Sequence, residues 1–148
     1  MIALACDHGA YALKETVKAW LLERGYAVED FGTDSVESVD YPDFGAAAAR
    51  AVASGQCTQG IVLCTSGIGI SIAANKIHGI RCALCTDPLM AELTRKHNDA
   101  NMLALGAGIT GTLLSLRIVE TFLTTAFEGG RHQGRVDKIT ALEVVTLG

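Results

Sequence analysis

The residues best suited to chemistry are Cys64, Thr65 and Ser66, which follow a short apolar run and precede two glycines. The run from Gly60 to Cys64 contains β-branched residues and predicts a strand buried on both faces. The segment from Ile70 to Lys76 predicts a helix, so the whole stretch is a strand, a polar turn and a helix. Because the first N–H groups of a helix lack partners and its dipole is positive there, we expect this turn to bind an anion.

Cys64 distinguishes this turn from an ordinary phosphate loop, since a thiol stands where the strand ends. Unpaired N–H groups and the positive end of a helix favour the thiolate, which is the basic and nucleophilic form. Gly67 and Gly69 would let the backbone approach a ligand closely. The alternative is that Cys64 packs as a small apolar residue, and the turn by itself favours neither interpretation.

Composition narrows the class of protein. The chain has 148 residues, of which 49% are apolar, and this predicts one domain over residues 1–148 with a covered sheet. Its net charge of −4 argues against nonspecific nucleic-acid binding, which needs clustered positive charge. No apolar run approaches the ~20 residues that span a membrane. We therefore expect neither a nucleic acid nor a membrane as partner.

The cysteines predict a reducing compartment. There are five of them, an odd number without the spacing of a disulfide framework. Cys82 and Cys85 match a CxxC pattern, but they lie in a predicted strand, where residues i and i+3 face opposite sides. We therefore expect no shared metal there. The N-terminal segment has no basic start and reaches a charge already at Asp7, which favours the cytoplasm over export.

Strands and helices alternate along the chain. Strands are predicted at 2–6, 27–31, 60–64, 80–86 and 102–105, and helices at 11–24, 43–54, 70–76, 88–96, 112–127 and 136–145. Polar segments 97–101 and 128–135 are predicted as connections. This spacing indicates right-handed βαβ units. The expected fold is an α/β three-layer sandwich with a five-stranded parallel, Rossmann/flavodoxin-like sheet and an extra C-terminal helix.

Polar residues follow the first strand as well as the third. Asp7 and His8 come directly after strand one, and Cys64 ends strand three. Ligands of such sheets bind beyond the carboxyl ends of the strands, at the topological switch point. Alone, Asp7 could cap a helix and His8 could be a loop residue. Together with Cys64, they predict a binding site at one edge of the sheet.

Five motifs recur in order over essentially the whole chain: Asp7-His8-Gly9, Asp40-Tyr41-Pro42, the run Ile70–Lys76 behind Cys64, His97-Asn98-Asp99, and the segment from Gly129 through Arg131 to Arg135. Together they resemble the B-type ribose-5-phosphate isomerases, a family that includes the galactose-6-phosphate isomerase subunits. The resemblance implies interconversion of an aldose phosphate and a ketose phosphate, such as ribose 5-phosphate and ribulose 5-phosphate. It also implies that no metal or organic cofactor is needed.

The resemblance also implies catalytic roles. Cys64 matches the general base that moves the proton between C1 and C2. One branch of the family instead uses a glutamate at the position of Ile70, so this chain is similar to the cysteine branch. His97 matches the acid that assists ring opening. Ser66 and Asp7 are expected to take part in catalysis beside them.

Further positions match substrate-binding residues of the family. The loop that binds the sugar and the enediolate oxygen corresponds to Thr65, Ser66, Gly67, Ile68 and Gly69, and further sugar ligands to Asp7, His8 and Asn98. Arg131 and Arg135 match arginines that bind the phosphate. Two forked guanidinium groups suit a dianionic phosphate. Taken alone, each arginine would be an ordinary solvated surface residue.

Two positions depart from the family pattern. Gly108 stands where the family carries a further phosphate-binding arginine, and Ser66 replaces a threonine while keeping the hydroxyl. A sugar phosphate of four or six carbons is therefore an alternative substrate. A non-catalytic sugar-phosphate-binding subunit is a second alternative, which Cys64 argues against. A flavodoxin-like cofactor domain or a receiver domain would need an FMN-type loop or an acidic cluster with a lysine, and the sequence contains neither.

The predicted topology separates two groups of site residues. His97 and Asn98 precede strand five and belong to the amino edge of the sheet, whereas Cys64 and Asp7 belong to the carboxyl edge. A strand of five residues spans roughly 17 Å. We therefore expect a homodimer or homotetramer in which two chains share each active site. The alternative is a monomer in which His97 is only a helix cap.

Overall fold

The structure, a computed structural model, describes residues 1–143. Its five strands are β1 (Ile2–Cys6), β2 (Val28–Asp30), β3 (Gln59–Cys64), β4 (Cys82–Leu84) and β5 (Met102–Gly106). All of them pair in parallel, in the spatial order β2-β1-β3-β5-β4. The predicted five-stranded parallel α/β sheet is therefore confirmed.

Six α-helices surround this sheet: α1 (Tyr11–Glu23), α2 (Tyr41–Ala53), α3 (Ile68–Asn75), α4 (Pro88–Asn98), α5 (Thr112–Thr124) and α6 (Arg131–Ala141). Helices α1, α4 and α5 pack on one face, and α2 and α3 pack on the other. Helix α6 contacts α4 at the outside of this sandwich. None of the six is long and apolar enough to cross a bilayer.

The two faces of the sheet carry side chains of different size. Ile2 and Leu4 point to the face covered by α1 and α5, where Phe122 is fully buried. Ala3 and Ala5 point to the other face, which packs against α2. Because alternate residues of a strand face opposite sides, the alternation of large and small residues along β1 produces this difference. The small side chains let the alanine-rich α2 lie close to the sheet.

Local capping signals are found where they were predicted. The Asp87 carboxylate accepts a hydrogen bond from the Met90 N–H at 2.9 Å, and Pro88 occupies the first turn of α4. Gly25 follows α1 with a positive φ of 84°, as a C-terminal glycine should. These signals depend only on neighbouring residues, which explains why they can be predicted without the tertiary structure.

Several helix boundaries differ from prediction. Helix α3 begins at Ile68 rather than Ile70, so Ile68 and Gly69 lie in its first turn. Helix α4 continues through Asn98, and the left-handed Asp99, with φ of 45°, ends it. The predicted connection starting at His97 is therefore wrong for its first two residues.

The third difference concerns the arginines. The segment 128–135 was predicted as a loop, but α6 begins at Arg131 because Gly129 and Gly130 turn the chain just before it. Arg131 and Arg135 are therefore helical residues. The predicted end of this helix, Val144 and Val145, lies outside the described residues. Strands β2 and β4 are shorter than predicted, α2 begins at Tyr41 rather than Asp43, and α5 ends at Thr124 rather than Phe127.

The strand order places the switch point beside Cys64. Strand β1 has β2 on one side and β3 on the other, and β5 lies on the far side of β3. Cys6 is in register with Leu63, and Cys64 is in register with Gly106. The carboxyl ends of β1, β3 and β5 therefore meet at one edge, where open α/β sheets bind ligands.

A buried ion pair joins α1 to the end of β2. The Lys14 ammonium is fully buried and lies 2.9 Å from the Asp30 carboxylate, and it also donates to the Thr33 carbonyl. Burial by itself would raise the pKa of Asp30, but hydrogen bonds from Lys14, the Gly32 N–H and Lys18 lower this pKa overall. The pair stabilises residues 30–33, which lie beside the loop that follows β1.

Candidate active site

Cys64 lies at the end of β3 and is held by the turn that follows it. The Gly67 N–H donates to the Cys64 sulfur at 3.1 Å. Gly67 adopts a left-handed conformation with φ of 76°, and a Cβ there would come within 2.6 Å of Leu84 and 2.8 Å of the Leu105 carbonyl carbon. Only glycine can occupy this position without displacing its neighbours. The turn therefore aims a backbone N–H at the thiol.

The first turn of α3 supplies further N–H donors. The Ile68 N–H is bound by the Ser66 hydroxyl at 3.2 Å, and the Ser71 N–H by the Gly67 carbonyl at 3.2 Å. Among residues 1–143, the N–H groups of Gly69 and Ile70 are left without a partner. Two free donors at the positive end of a helix are suited to an anionic oxygen.

Asp7 and His8 lie at the same edge as the thiol. Asp7 is buried, and its carboxylate accepts from the Gly9 N–H at 3.0 Å, so it caps a short 3-10 helix at His8–Ala10. The His8 Nδ1 accepts from the Val39 N–H at 3.1 Å, which leaves the proton of the neutral ring on Nε2. His8 therefore has a donor free to meet a ligand.

The loop after β1 also contacts the turn after β3. Thr65 Oγ1 lies only 2.2 Å from the position of a Cβ at Gly9. The loop after β5 lies against the same turn, since the Gly108 N–H donates to the Thr65 carbonyl at 2.8 Å. Asp7, His8 and residues 64–69 are thus brought together as predicted, although their roles stay predictions.

Tyr41, to which the sequence analysis assigned no role, lies beside the candidate site. Its ring lies directly over Gly69, where a Cβ would come within 2.5 Å of the ring. The side chain is half-exposed at the start of α2, beside the free N–H donors of α3. The available signal was the Asp40-Tyr41-Pro42 motif, but no local pattern shows that it reaches α3.

Cys64 differs from the other cysteines in its surroundings. Burial raises the pKa of Cys6 to about 11 and, for Cys82 and Cys85, to about 12, so these thiols stay protonated at neutral pH. Cys64 is buried as well, but its sulfur accepts a hydrogen bond from a backbone N–H.

A second group of predicted residues lies at the opposite end of the sheet. His97 and Asn98 form the last turn of α4, which leads into the amino end of β5. Arg131 and Arg135 are exposed and lie one turn apart on α6, which packs against α4. The structure joins His97 to the arginine helix, but a single chain does not bring this group to Cys64.

Two residues that the sequence analysis passed over, His132 and Glu128, accompany His97. The rings of His97 and His132 stack with centroids 4.5 Å apart and planes 18° apart. Glu128 Oε1 lies 3.9 Å from His97 Nε2 and 3.8 Å from His132 Nε2. Burial, His97 and Arg131 lower the pKa of His132, against the opposing effect of Glu128.

This cluster is not arranged for a metal ion. Glu128 Oε1 lies 3.8–3.9 Å from each imidazole Nε2, whereas zinc bound at about 2.0–2.1 Å holds its ligands about 3.3 Å apart. An imidazole nitrogen also binds a metal in the plane of its ring. Two stacked, nearly parallel rings share no such point close to both nitrogens. The two rings and the carboxylate are instead close enough for their charges to interact.

A parallel sheet that presents a thiol and free N–H donors at its carboxyl edge defines a ligand-binding α/β protein of the Rossmann-like class. Residues 2–139 match the ribose/galactose isomerase family. Over 142 residues the chain is 49% identical to ribose-5-phosphate isomerase B of Escherichia coli (strain K12), covering 96% of this chain and 95% of that one. The chain therefore belongs to the ribose/galactose isomerase family and is a sugar phosphate isomerase.

Two further comparisons bear on fold and substrate. The chain superimposes on ribose-5-phosphate isomerase B of Clostridium thermocellum with a TM-score of 0.95 and 56% identity, covering 96% of each chain. It is also 40% identical, over 139 residues, to the D-erythrulose-4-phosphate isomerase of Pectobacterium atrosepticum, covering 93% of this chain and 91% of that one. Relatives with different sugar phosphates thus share this fold.

Proposed function

We propose that this protein interconverts ribose 5-phosphate and ribulose 5-phosphate through an enediolate, with Cys64 as the general base. The observation that carries this proposal is the Gly67 N–H on the Cys64 sulfur, in a turn whose next helix offers free N–H donors. The names of relatives above 45% identity support the five-carbon substrate. The protein works as one isomerase domain without a metal or organic cofactor, in a reducing cytoplasm.

The proposed reaction uses the open-chain sugar. The Cys64 thiolate removes the proton from C2 of the aldose, the electrons form the C1–C2 double bond, and the C1 carbonyl oxygen becomes the enediolate oxygen. The N–H donors of Gly69 and Ile70 stabilise that developing charge. Cys64 then returns the proton to C1, the C2 hydroxyl loses its proton to water, and the C1 oxygen takes a proton from water, which gives the ketose. Asp7, His8, Thr65 and Ser66 orient the sugar around the thiol.

A second copy of the chain supplies four further residues to the substrate: His97, Asn98, Arg131 and Arg135. His97 must come within about 3 Å of the sugar oxygen that it protonates. Along one chain, the length of β5 separates it from Cys64. Support for a second copy comes from apolar residues left exposed on α3 and α4, which flank the edge strand β4: Ile68, Ile72, Leu89 and Leu93.

The test is an isomerase assay with wild type and Cys64→Ser on four-, five- and six-carbon aldose phosphates. We expect the highest kcat/KM on ribose 5-phosphate and a loss of about 10²- to 10⁴-fold in Cys64→Ser. Cys57→Ala, which removes a buried thiol at the other end of the sheet, should keep full activity. Near-wild-type turnover in Cys64→Ser would eliminate the mechanism. Turnover on none of the sugars would favour a non-catalytic binding subunit.

A different sugar phosphate is the second candidate, and Gly108 favours it. A Cβ at this position would come within 3.1 Å of both the Thr65 methyl and the Thr65 carbonyl. The loop after β5 therefore lies tightly against the turn, and Gly108 offers no side chain to a phosphate. A clear preference for a four- or six-carbon substrate in the assay above would replace the five-carbon assignment while leaving the chemistry unchanged.

A further inference from the structure

The cluster of His97, Glu128 and His132 places two identical rings in different surroundings. The His132 side chain is 9% exposed, whereas that of His97 is 40% exposed and that of Glu128 is 52% exposed. Stacked rings whose centroids are 4.5 Å apart repel each other when both are charged. The pair therefore holds one proton more readily than two. Burial disfavours charge on His132, which makes it the neutral ring of the pair.

The other charged groups around the cluster are mostly positive. Helix α4 contributes Lys96, and α6 contributes Arg131 and Arg135. Both arginines oppose a positive charge on His132, whereas Lys96 is paired with Glu92. Among the described residues, Glu128 is the acid within 4 Å of both rings, at 3.9 Å from His97 and 3.8 Å from His132. Its carboxylate offsets the surrounding positive charge.

We propose that Glu128 and His132 are positioning residues for His97: the carboxylate keeps the proton on His97, and the buried neutral ring fixes its plane. This inference rests on the proposed function, in which His97 opens the cyclic sugar. The His97 imidazolium gives its proton to the ring oxygen as the bond from C1 to that oxygen breaks. The C1 hydroxyl loses its proton to water as the aldehyde forms. Glu128 and His132 contact no substrate atom in this step.

The direct test is NMR of the His97 ring proton against pH in the full-length protein. In Glu128→Gln, which keeps the shape and removes the charge, the titration midpoint of His97 should move about 0.5–1 pH unit lower. Glu128→Asp should recover most of this change. Glu120→Gln, which removes an exposed carboxylate from α5, should leave the midpoint in place. An unchanged midpoint in Glu128→Gln would overturn the proposal.

A kinetic test separates ring opening from proton transfer at carbon. Ribulose 5-phosphate cannot close a furanose ring, because its C5 oxygen carries the phosphate, so exchange of its C1 proton with D2O bypasses ring opening. We expect Glu128→Gln to lower kcat/KM for ribose 5-phosphate about threefold to tenfold at pH 7.5, with C1 exchange much less affected. Equal losses in both would show that Glu128 only supports the fold.

The two hypotheses fail in different ways. If Cys64→Ser still exchanged the C1 proton at the wild-type rate, the proposed base would be wrong whatever Glu128 does. If the exchange required Cys64 but the Glu128 variants matched wild type in NMR and in the aldose reaction, only the inference about Glu128 and His132 would fail. His132→Phe keeps a flat ring beside His97, and it should preserve the aldose reaction better than His132→Ala.

Discussion

The Gly67 N–H donates to the Cys64 sulfur at 3.1 Å, and it can do so because Gly67 has a φ of 76°. Residues with a Cβ rarely adopt this conformation, and here the Cβ would also meet Leu84 and β5. The thiol and the glycine therefore form one unit, in which the turn that starts α3 also fixes the environment of the sulfur.

Alkylation should distinguish Cys64 from the other thiols. Burial raises the pKa of Cys6 to about 11 and that of Cys85 to about 12, whereas the Cys64 sulfur accepts a hydrogen bond from the Gly67 N–H beside free helix N–H donors. Because the thiolate is the reactive form, limited iodoacetamide should modify Cys64 first, as measured by peptide mass spectrometry. Added ribose 5-phosphate should slow this labelling. Equal labelling of Cys6 and Cys64 would contradict the prediction.

Two glycine substitutions should shift stability in opposite directions. Gly67→Ala forces a Cβ into Leu84 and the backbone of β5, so it should lower the free energy of unfolding by about 1–3 kcal/mol. Gly134 lies within α6 with open space around it, so Gly134→Ala should raise this free energy by about 0.5–1 kcal/mol. Urea unfolding measures both. A stable Gly67→Ala variant would show that the turn adapts.

Replacing Arg131 or Arg135 should raise the KM for the sugar phosphate. If they bind the phosphate, each change to alanine removes a charge-assisted hydrogen bond of about 1.5–3 kcal/mol, which raises KM about tenfold or more. Inorganic phosphate should compete with the substrate, more weakly in either variant. Arg117→Ala, an exposed arginine on α5, is the matched control. An unchanged KM in both variants would mean that α6 presents ordinary surface charge.

Mixing two inactive variants tests whether the site is shared between chains. In a twofold dimer of Cys64→Ala with His97→Ala, one of the two sites has both residues intact. After random subunit exchange, about a quarter of the wild-type activity should return, because half of the dimers are mixed. Cys64→Ala mixed with itself is the control. Exchange that restores no activity would rule out the shared arrangement.

The Asp30 carboxylate should make the free energy of unfolding depend on pH in the acid range. Its folded pKa lies below the ordinary value of 3.8, so its contribution is complete above that value and is lost as the pH falls through the folded pKa. The wild type should therefore lose stability to urea below about pH 4 more steeply than Asp30→Asn. At pH 7 the free energy of unfolding of Asp30→Asn should be about 3–5 kcal/mol lower than that of the wild type, since Lys14 is left buried without the Asp30 carboxylate. Asp34→Asn, an exposed carboxylate nearby, should behave like wild type.

The sequence by itself determined the features that depend on neighbouring residues. The β-branched run before Cys64, the polar turn and the glycines predict the strand, turn and helix that surround the thiol. Asp87 and Pro88 likewise predict the start of α4. Burial on both faces requires continuous apolar strands, so the parallel sheet could also be predicted. The order of its strands could not, because pairing of β5 between β3 and β4 depends on contacts distant in sequence.

Only the tertiary structure decided which distant residues meet. Segment 128–135 reads locally as a glycine-rich loop, and α6 starts at Arg131 with packing against α4 that no local pattern encodes. That packing brings His132 and Glu128 to His97, a relationship set by contacts between helices. Tyr41 meets Gly69 in the same way. Local propensity places each residue on its element, whereas the distances between elements are set by the packing of the whole core.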